Sequence, residues 1–277
     1  MTSPPEFPPR YGRADLQVHT SQGDGMDDAL TIFERVERDA LLDVIAVTDH
    51  DDVAGALHAR EVYEAHRDRW HFDLVTGIEV TTTHGHLLAL WVDGPVRSFR
   101  SLEATIAEVH EAGGVAVVPH PFSMLTRSIG RRTLDRVMAL EDATVRPDGL
   151  EVANTLSKGW HAGDRARAAN RVRWGLAETG GSDAHFVQAV GRAYTRFPTT
   201  AGTAERGADA DAVRRAILER RTEGVLTGAT PYREIGLRRL AAQQVRGLSV
   251  TPRKVLGPIV GAGIRGLRAR GASRRPR

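Results

Sequence analysis

Five of the eleven histidines in this 277-residue chain stand beside short apolar runs: His19, His50, His86, His120 and His185. Carboxylates accompany them, namely Asp24, Asp49, Asp51, Glu79 and Asp183. One such histidine is easily a packing residue. Five at separate places, each near an acid, are hard to assign to packing, because burying so many titratable groups without a cation is costly. A multinuclear metal centre offsets that cost, since bound cations invert the local electrostatics. The chain has no cysteine, so thiolate sites and disulfides are excluded and any ligands must be nitrogen and oxygen. That donor set suits Mn, Fe or Zn. His58, His66, His71, His110 and His161 fall on expected helices or loops and read as ordinary residues. His84 lies two residues from His86, and either could face the site.

Such a cluster needs a scaffold that collects strand ends. Ala14–Val18 reads as a strand, followed by a helix over Ala29–Leu41 with Asp28 as its cap. Val44–Val47, Leu74–Glu79, Leu87–Trp91 and Val115–Val118 read as further strands. Leu57–Arg67 and Leu102–Ala112 read as helices, the second capped by Ser101 and ended by Gly113-Gly114. Gly149–Val152 and Leu176–Thr179 are weaker strand signals, and Ala212–Arg221 is a late amphipathic helix. Strands alternating with helices at this pace imply an α/β fold with a mostly parallel sheet. In such folds functional residues gather at the carboxyl ends of strands.

Five short motifs then carry a family resemblance. Asp15-Leu16-Gln17-Val18-His19-Thr20 with Gly23-Asp24-Gly25, Thr48-Asp49-His50-Asp51, Gly77-Ile78-Glu79-Val80 with His86, Pro119-His120-Pro121, and Gly181-Ser182-Asp183-Ala184-His185 occur in that order. Together they resemble the motifs of the PHP (polymerase and histidinol phosphatase) superfamily of metal-dependent phosphoesterases. The resemblance spans about residues 14–197 and implies a distorted (β/α)7 barrel of PHP type. It also implies two or three divalent metal ions. His19, Glu79 and Asp183 would hold one; Glu79, His86 and His120 a second, with Glu79 bridging; Asp24, His50 and His185 would surround a third. Gln17 departs from the family pattern, which usually has His there. Its carboxamide oxygen can still ligate a metal, as a weaker neutral donor that favours Mn²⁺ over Zn²⁺.

The implied activity is hydrolysis of a phosphate ester by a metal-bound hydroxide at a multinuclear centre, with Glu79 and Asp183 as the catalytic pair. Asp49 and Asp51 are expected either to orient ligating histidines or to cap a turn. Substrate contacts are expected from Asn154, in Glu151-Val152-Ala153-Asn154, and from Arg192; Arg127, Arg131 and Arg132 follow the fourth of the motifs quoted. The substrate would be a small phosphomonoester or nucleotide, with oligonucleotide ends as a variant. A catalytically degenerate PHP module that binds metal and regulates a nucleic-acid enzyme is the alternative. It is supported by Gln17 and by the basic tail.

Three segments are expected: a disordered Pro-rich leader over residues 1–13, the PHP phosphoesterase domain over 14–227, and a basic extension over 228–277. That extension carries eleven arginines and one lysine against Glu234 alone, so the body of the chain is acidic. Nucleic acid (RNA) or a membrane surface could dock there, with Val255, Ile259, Val260, Ile264 and Leu267 forming one helical face. Gly261-Ala262-Gly263-Ile264-Arg265-Gly266 matches a dinucleotide-binding fingerprint by letter, but lacks the strand that the fingerprint requires. No apolar run reaches the roughly 20 residues of a spanning helix, and a cytoplasmic location is the default expectation.

Overall fold

A computed structural model describes residues 11–124, 126–156, 162–199 and 209–248. Nine strands form one sheet: β1 Tyr11–Val18, β2 Val44–Val47, β3 Asp73–Thr82, β4 Gly85–Leu90, β5 Val115–Val118, β6 Gly149–Asn154, β7 Ala177–Gly181, β8 Ala193–Pro198 and β9 Glu223–Leu226. Their order is β7-β6-β5-β4-β3-β2-β1-β8-β9. Pairing is parallel in β1-β2-β3 and β5-β6-β7, and antiparallel where β4 is inserted and where β8 and β9 extend the β1 edge. The sheet nearly closes on itself. Past the end of β7, Ala184 bridges Val18 of β1 in parallel, with His19 N–H donating to Ala184 O at 2.9 Å. The architecture is thus the distorted α/β barrel implied by the motifs.

The barrel is packed on both faces, which explains why its central strands read as unbroken apolar runs. Val44 and Ala46 of β2 turn toward an inner cluster with Leu16, Leu88 and Val117, while Ile45 and Val47 turn toward the helices outside. Helix α6 (Ala210–Leu218) supplies Val213, Ala216 and Ile217 to the inner cluster. Outside, α1 (Ala29–Asp39) and α2 (Ala54–Ala65) pack through Phe33 and Tyr63 around Trp70 and Phe72. On the other flank α3 (Leu102–Glu111), α4 (Arg131–Met138) and α5 (Ala162–Arg173) cover β4 to β6. The two expected caps form: Asp28 accepts from Thr31 N at 2.8 Å and Ser101 from Ala104 N at 3.3 Å.

The sequence reading missed several elements. β8 and β9 were not anticipated because β9 is a four-residue edge strand with one buried residue, and β8 exposes Arg196. Helix α4 was missed because it spans only eight residues, and α5 because arginine and alanine dominate it, leaving few apolar residues to show a period. The first strand starts at Tyr11, inside the expected leader. At the other end, the structure describes residues 228–248 of the expected extension. A short helix, α7 (Tyr232–Ile235), leads into a helix over residues 237–248, termed α8, which lies against the barrel mouth. The apolar face and the glycine fingerprint expected between 255 and 267 lie outside the described residues, as does His161.

Candidate metal centre

The carboxyl ends of β1, β2 and β3, the start of β4 and the turns after β5 and β7 bring the motif residues to one point. Glu79, buried within β3, is its hub. Its Oε1 lies 2.7 Å from His86 Nδ1 and 2.9 Å from His120 Nε2; its Oε2 lies 3.1 Å from His19 Nε2 and 3.7 Å from His50 Nδ1. His19 Nε2 is also 3.2 Å from Asp183 Oδ1, and Asp24 Oδ2 is 3.1 Å from His185 Nε2. The imidazoles stack: the His19 and His185 rings are 4.2 Å apart at 21°, and His50 lies 4.8 Å from His19.

The backbone is bent to produce this convergence. Asp183 and His120 carry positive φ values of 53° and 31°, in the region that non-glycine residues normally avoid. Asp51, at φ 57°, accepts from Thr81 N, Thr81 Oγ1 and Ser98 Oγ at 2.6–2.8 Å and so ties β2 to β3. Asp49 accepts from Thr20 N and Thr20 Oγ1 at 2.8 and 2.6 Å, fixing the turn after His19. Both acids thereby brace the segments that flank the clustered histidines. Two glycines make that turn possible. A Cβ on Gly25 would stand 2.4 Å from His19 O, and one on Gly23 would stand 2.4 Å from Asp49 Oδ1.

Electrostatics in the cluster are extreme. Burial alone would raise Glu79, but the surrounding His50, His86, His120 and His19 outweigh it and hold the carboxyl well below its usual range. Burial would lower His19, yet Asp183, Glu79 and Asp24 raise it well above the ordinary imidazole value. His120 rises to about 9, because Glu79 overcomes the effect of burial. Burial lowers His50. Carboxylates and imidazoles that shift one another this way form an environment suited to a bound cation.

The residues fit such cations. Gln17 Oε1, both ring nitrogens of His19, Asp24 Oδ1, His50 Nδ1 and His86 Nδ1 are buried without a hydrogen-bond partner, although carboxylate oxygens lie close to most of the nitrogens. Buried polar atoms normally have hydrogen-bond partners. Atoms that crowd together and miss hydrogen-bond geometry are arranged as ligands. Three groups bring their ligand atoms within 4.8 Å of one another: His19, Asp24, His50 and His185; His50, Glu79 and His86; and His19, Glu79 and Asp183.

These groups reproduce the expected sets with two changes. His50 replaces His120 beside Glu79 and His86, and His19 joins the set around Asp24. His120 still meets Glu79, and its Nδ1 is 3.0 Å from Thr126 Oγ1 and 3.2 Å from Ser128 Oγ. Gln17 is buried at the centre and turns its Nε2 to Glu79 Oε2 at 2.9 Å, so the amide donates to the hub while its Oε1 is left without a partner. His84 hydrogen-bonds Thr83 and stays outside.

The proposed substrate contacts divide. A cavity of about 360 Å³ opens above the cluster, lined by His50, Glu79, His86, His120, Asp183 and His185. Arg127 lines it with Thr126. Asn154 does not. It is buried, donating through Nδ2 to Glu151 Oε2 at 2.8 Å, and that oxygen also accepts from His120 N at 2.7 Å. Arg192 lies apart, with Nε bonded to Gln188 O and NH2 3.7 Å from Glu234. Arg131 and Arg132 line a separate hollow beside α5. The sequence reading also missed part of the wall: Leu156, Phe186, Thr230, Tyr232, Leu240, Gln243 and Gln244. Nothing in their types marks them, and five of them lie in the segment set aside as a tail.

Comparison with known proteins finds the same fold elsewhere. The family described as PHP-associated matches residues 162–222. An uncharacterized protein of Methanocaldococcus jannaschii is 27% identical over 153 residues, 51% of this chain and 81% of the relative. A two-domain protein of Bacteroides vulgatus, containing a predicted PHP-like metal-dependent phosphoesterase, superimposes with a TM-score of 0.61 at 19% identity, covering 86% of this chain and 70% of that one. A lesion-specific endonuclease from Pyrococcus furiosus gives 0.51 at 16% identity, covering 76% and 56%. The matched segment, the shared fold and the order of the motifs all resemble those of PHP proteins.

Proposed function

We propose that the chain hydrolyses phosphate esters at a centre of two or three divalent ions held by His19, Asp24, His50, Glu79, His86, Asp183 and His185. The carrying observation is the convergence of these side chains, with orphaned ring nitrogens, at the floor of an open cavity. Bound divalent ions would supply Lewis acidity to the phosphoryl group and acidify a coordinated water. Glu79 contributes to two ligand groups and would set their separation, while His120 and Gln17 hold its two oxygens in place. Glu151 and Asn154 fix the His120 backbone from below. Asp183 and His185 reach the cavity surface, where they face a bound ester. Arg127 on the rim is placed to meet an anionic oxygen.

The test is metal analysis followed by turnover of a phosphate ester panel with Mn²⁺, with and without chelator, using Glu79→Ala as control. Chelator-sensitive hydrolysis that disappears in the variant is expected. Equal turnover by Glu79→Ala would refute the bridging role.

A second reading has one observation in its favour. Gln17 donates to Glu79 and so occupies an oxygen that a ligand set would use. A metal-binding but catalytically silent module would show bound metal and no turnover with any divalent ion.

A further inference from the structure

The segment after β9 does not leave the barrel but crosses its mouth. Thr230, Tyr232, Leu240, Gln243 and Gln244 line the same cavity as Glu79, Asp183 and His185. Three sets of contacts hold the segment there. Thr230 Oγ1 is 2.9 Å from Thr155 Oγ1, next to Asn154. Arg239 NH2 donates to both oxygens of Asp27 at 2.8 and 2.9 Å, and its guanidinium lies 5.5 Å from the Phe186 ring, beside His185. Arg246 donates through Nε to Gly23 O at 2.9 Å and through NH2 to Ser21 O. Both arginines grip the loop between His19 and α1, which carries Asp24. The helix runs close enough that a Cβ on Gly247 would stand 3.5 Å from Asp24 Oδ2.

The inner face of this arm differs chemically from the floor of the cavity. The floor is imidazole and carboxylate. The arm presents two amides, a phenol, a hydroxyl and the aliphatic Leu240, with the Phe186 ring beside them and no charged side chain. Gln244 Nε2 donates to Gln243 Oε1 at 2.9 Å, and Gln243 is buried.

We propose that this arm is the specificity wall of the site. It would receive the organic part of a small phosphate monoester, an uncharged group with hydrogen-bonding edges, while the phosphoryl end lies on the ligand cluster. The cavity's size of about 360 Å³ suits a molecule of a few hundred daltons. This inference rests on the phosphoester reading for the position of the phosphoryl group. Gln243 is a substrate contact in it; Arg246 is a positioning residue that acts through the arm.

The test is calorimetric binding to the full Mn²⁺-loaded chain, so that it does not depend on turnover. The probes are inorganic phosphate, phenyl phosphate, ribose 5-phosphate, adenosine 5′-monophosphate and a twelve-nucleotide single strand. At least one small ester should bind tenfold or more tightly than phosphate and more tightly than the oligonucleotide. Gln243→Leu and Arg246→Ala should each remove most of that gain and leave phosphate affinity within about twofold. A folded variant that retains the full gain overturns the proposal, as does an oligonucleotide that outbinds every small ester. Loss of phosphate and ester affinity together also overturns it, because the arm would then act on the metal end. Tight, arm-dependent binding without hydrolysis would instead sink the phosphoesterase reading and leave the arm's role intact.

Discussion

Replacing Glu79 by Gln preserves the side chain's shape and removes its charge at the one carboxylate shared between two of these groups. Of the three groups, His50-Glu79-His86 and His19-Glu79-Asp183 lose their central carboxylate, while His19-Asp24-His50-His185 is untouched. A ligand that binds only the folded state stabilises it by about 2.7 kcal/mol per site at a concentration 100 times its Kd. In a chain near this size each kcal/mol moves Tm by roughly 2–4 °C. Saturating Mn²⁺ should therefore raise the Tm of the wild-type protein by about 5–10 °C per occupied site. Glu79→Gln should keep about the contribution of one site. Thermal melts with and without Mn²⁺, paired with metal counts on the dialysed protein, measure both quantities. A variant that shows the undiminished Mn²⁺ shift and the full metal count would refute the placement of Glu79 at the hub.

Gln17→His should strengthen metal binding on the order of tenfold in competition with a chelator, because an imidazole would replace an amide that now donates to Glu79 Oε2; unchanged or weaker affinity would show that the position cannot reach an ion. Phe33→Ala should cost about 3–5 kcal/mol in denaturant unfolding, since Phe33 is fully buried with ring centroids 5.5–6.1 Å from Phe72, Trp70 and Tyr63. A loss below about 1 kcal/mol would mean that this flank is loosely packed. His110, remote from the centre, is raised above the ordinary imidazole value by its hydrogen bond to Asp148 Oδ2 at 2.9 Å. That contact stabilises the fold fully below the unfolded pKa near 6.5 and is lost as pH rises through the higher folded value. The Tm gap between wild type and His110→Gln should accordingly narrow from pH 6 toward pH 9, and a gap that widens would reverse the assignment.

The clustered His, Asp and Glu residues were legible in the sequence because each sits in a short local motif beside a buried strand, and burial on both faces makes such strands conspicuous. Asp28 and Ser101 were legible as caps for the same local reason. No local signal marked β9 or α5, whose stability comes from what they pack against. Gln17 could be located but not oriented: which end of its amide meets Glu79 depends on a residue 62 positions away.

What the chain's linear order determined by itself was the set of nitrogen and oxygen donors, their spacing by strand, and hence a barrel with a metal-binding end. Only the tertiary structure decided how these side chains group in space. It also showed that Asn154 lies beneath the site, that Arg192 lies away from it, and that residues 228–248 close one side of the cavity. The physical reason is the range of the interactions. Strand and cap formation depend on neighbours a few residues apart. The arm is held by Arg239 and Arg246 gripping partners more than 200 residues earlier in the chain, and no local pattern announces such pairs.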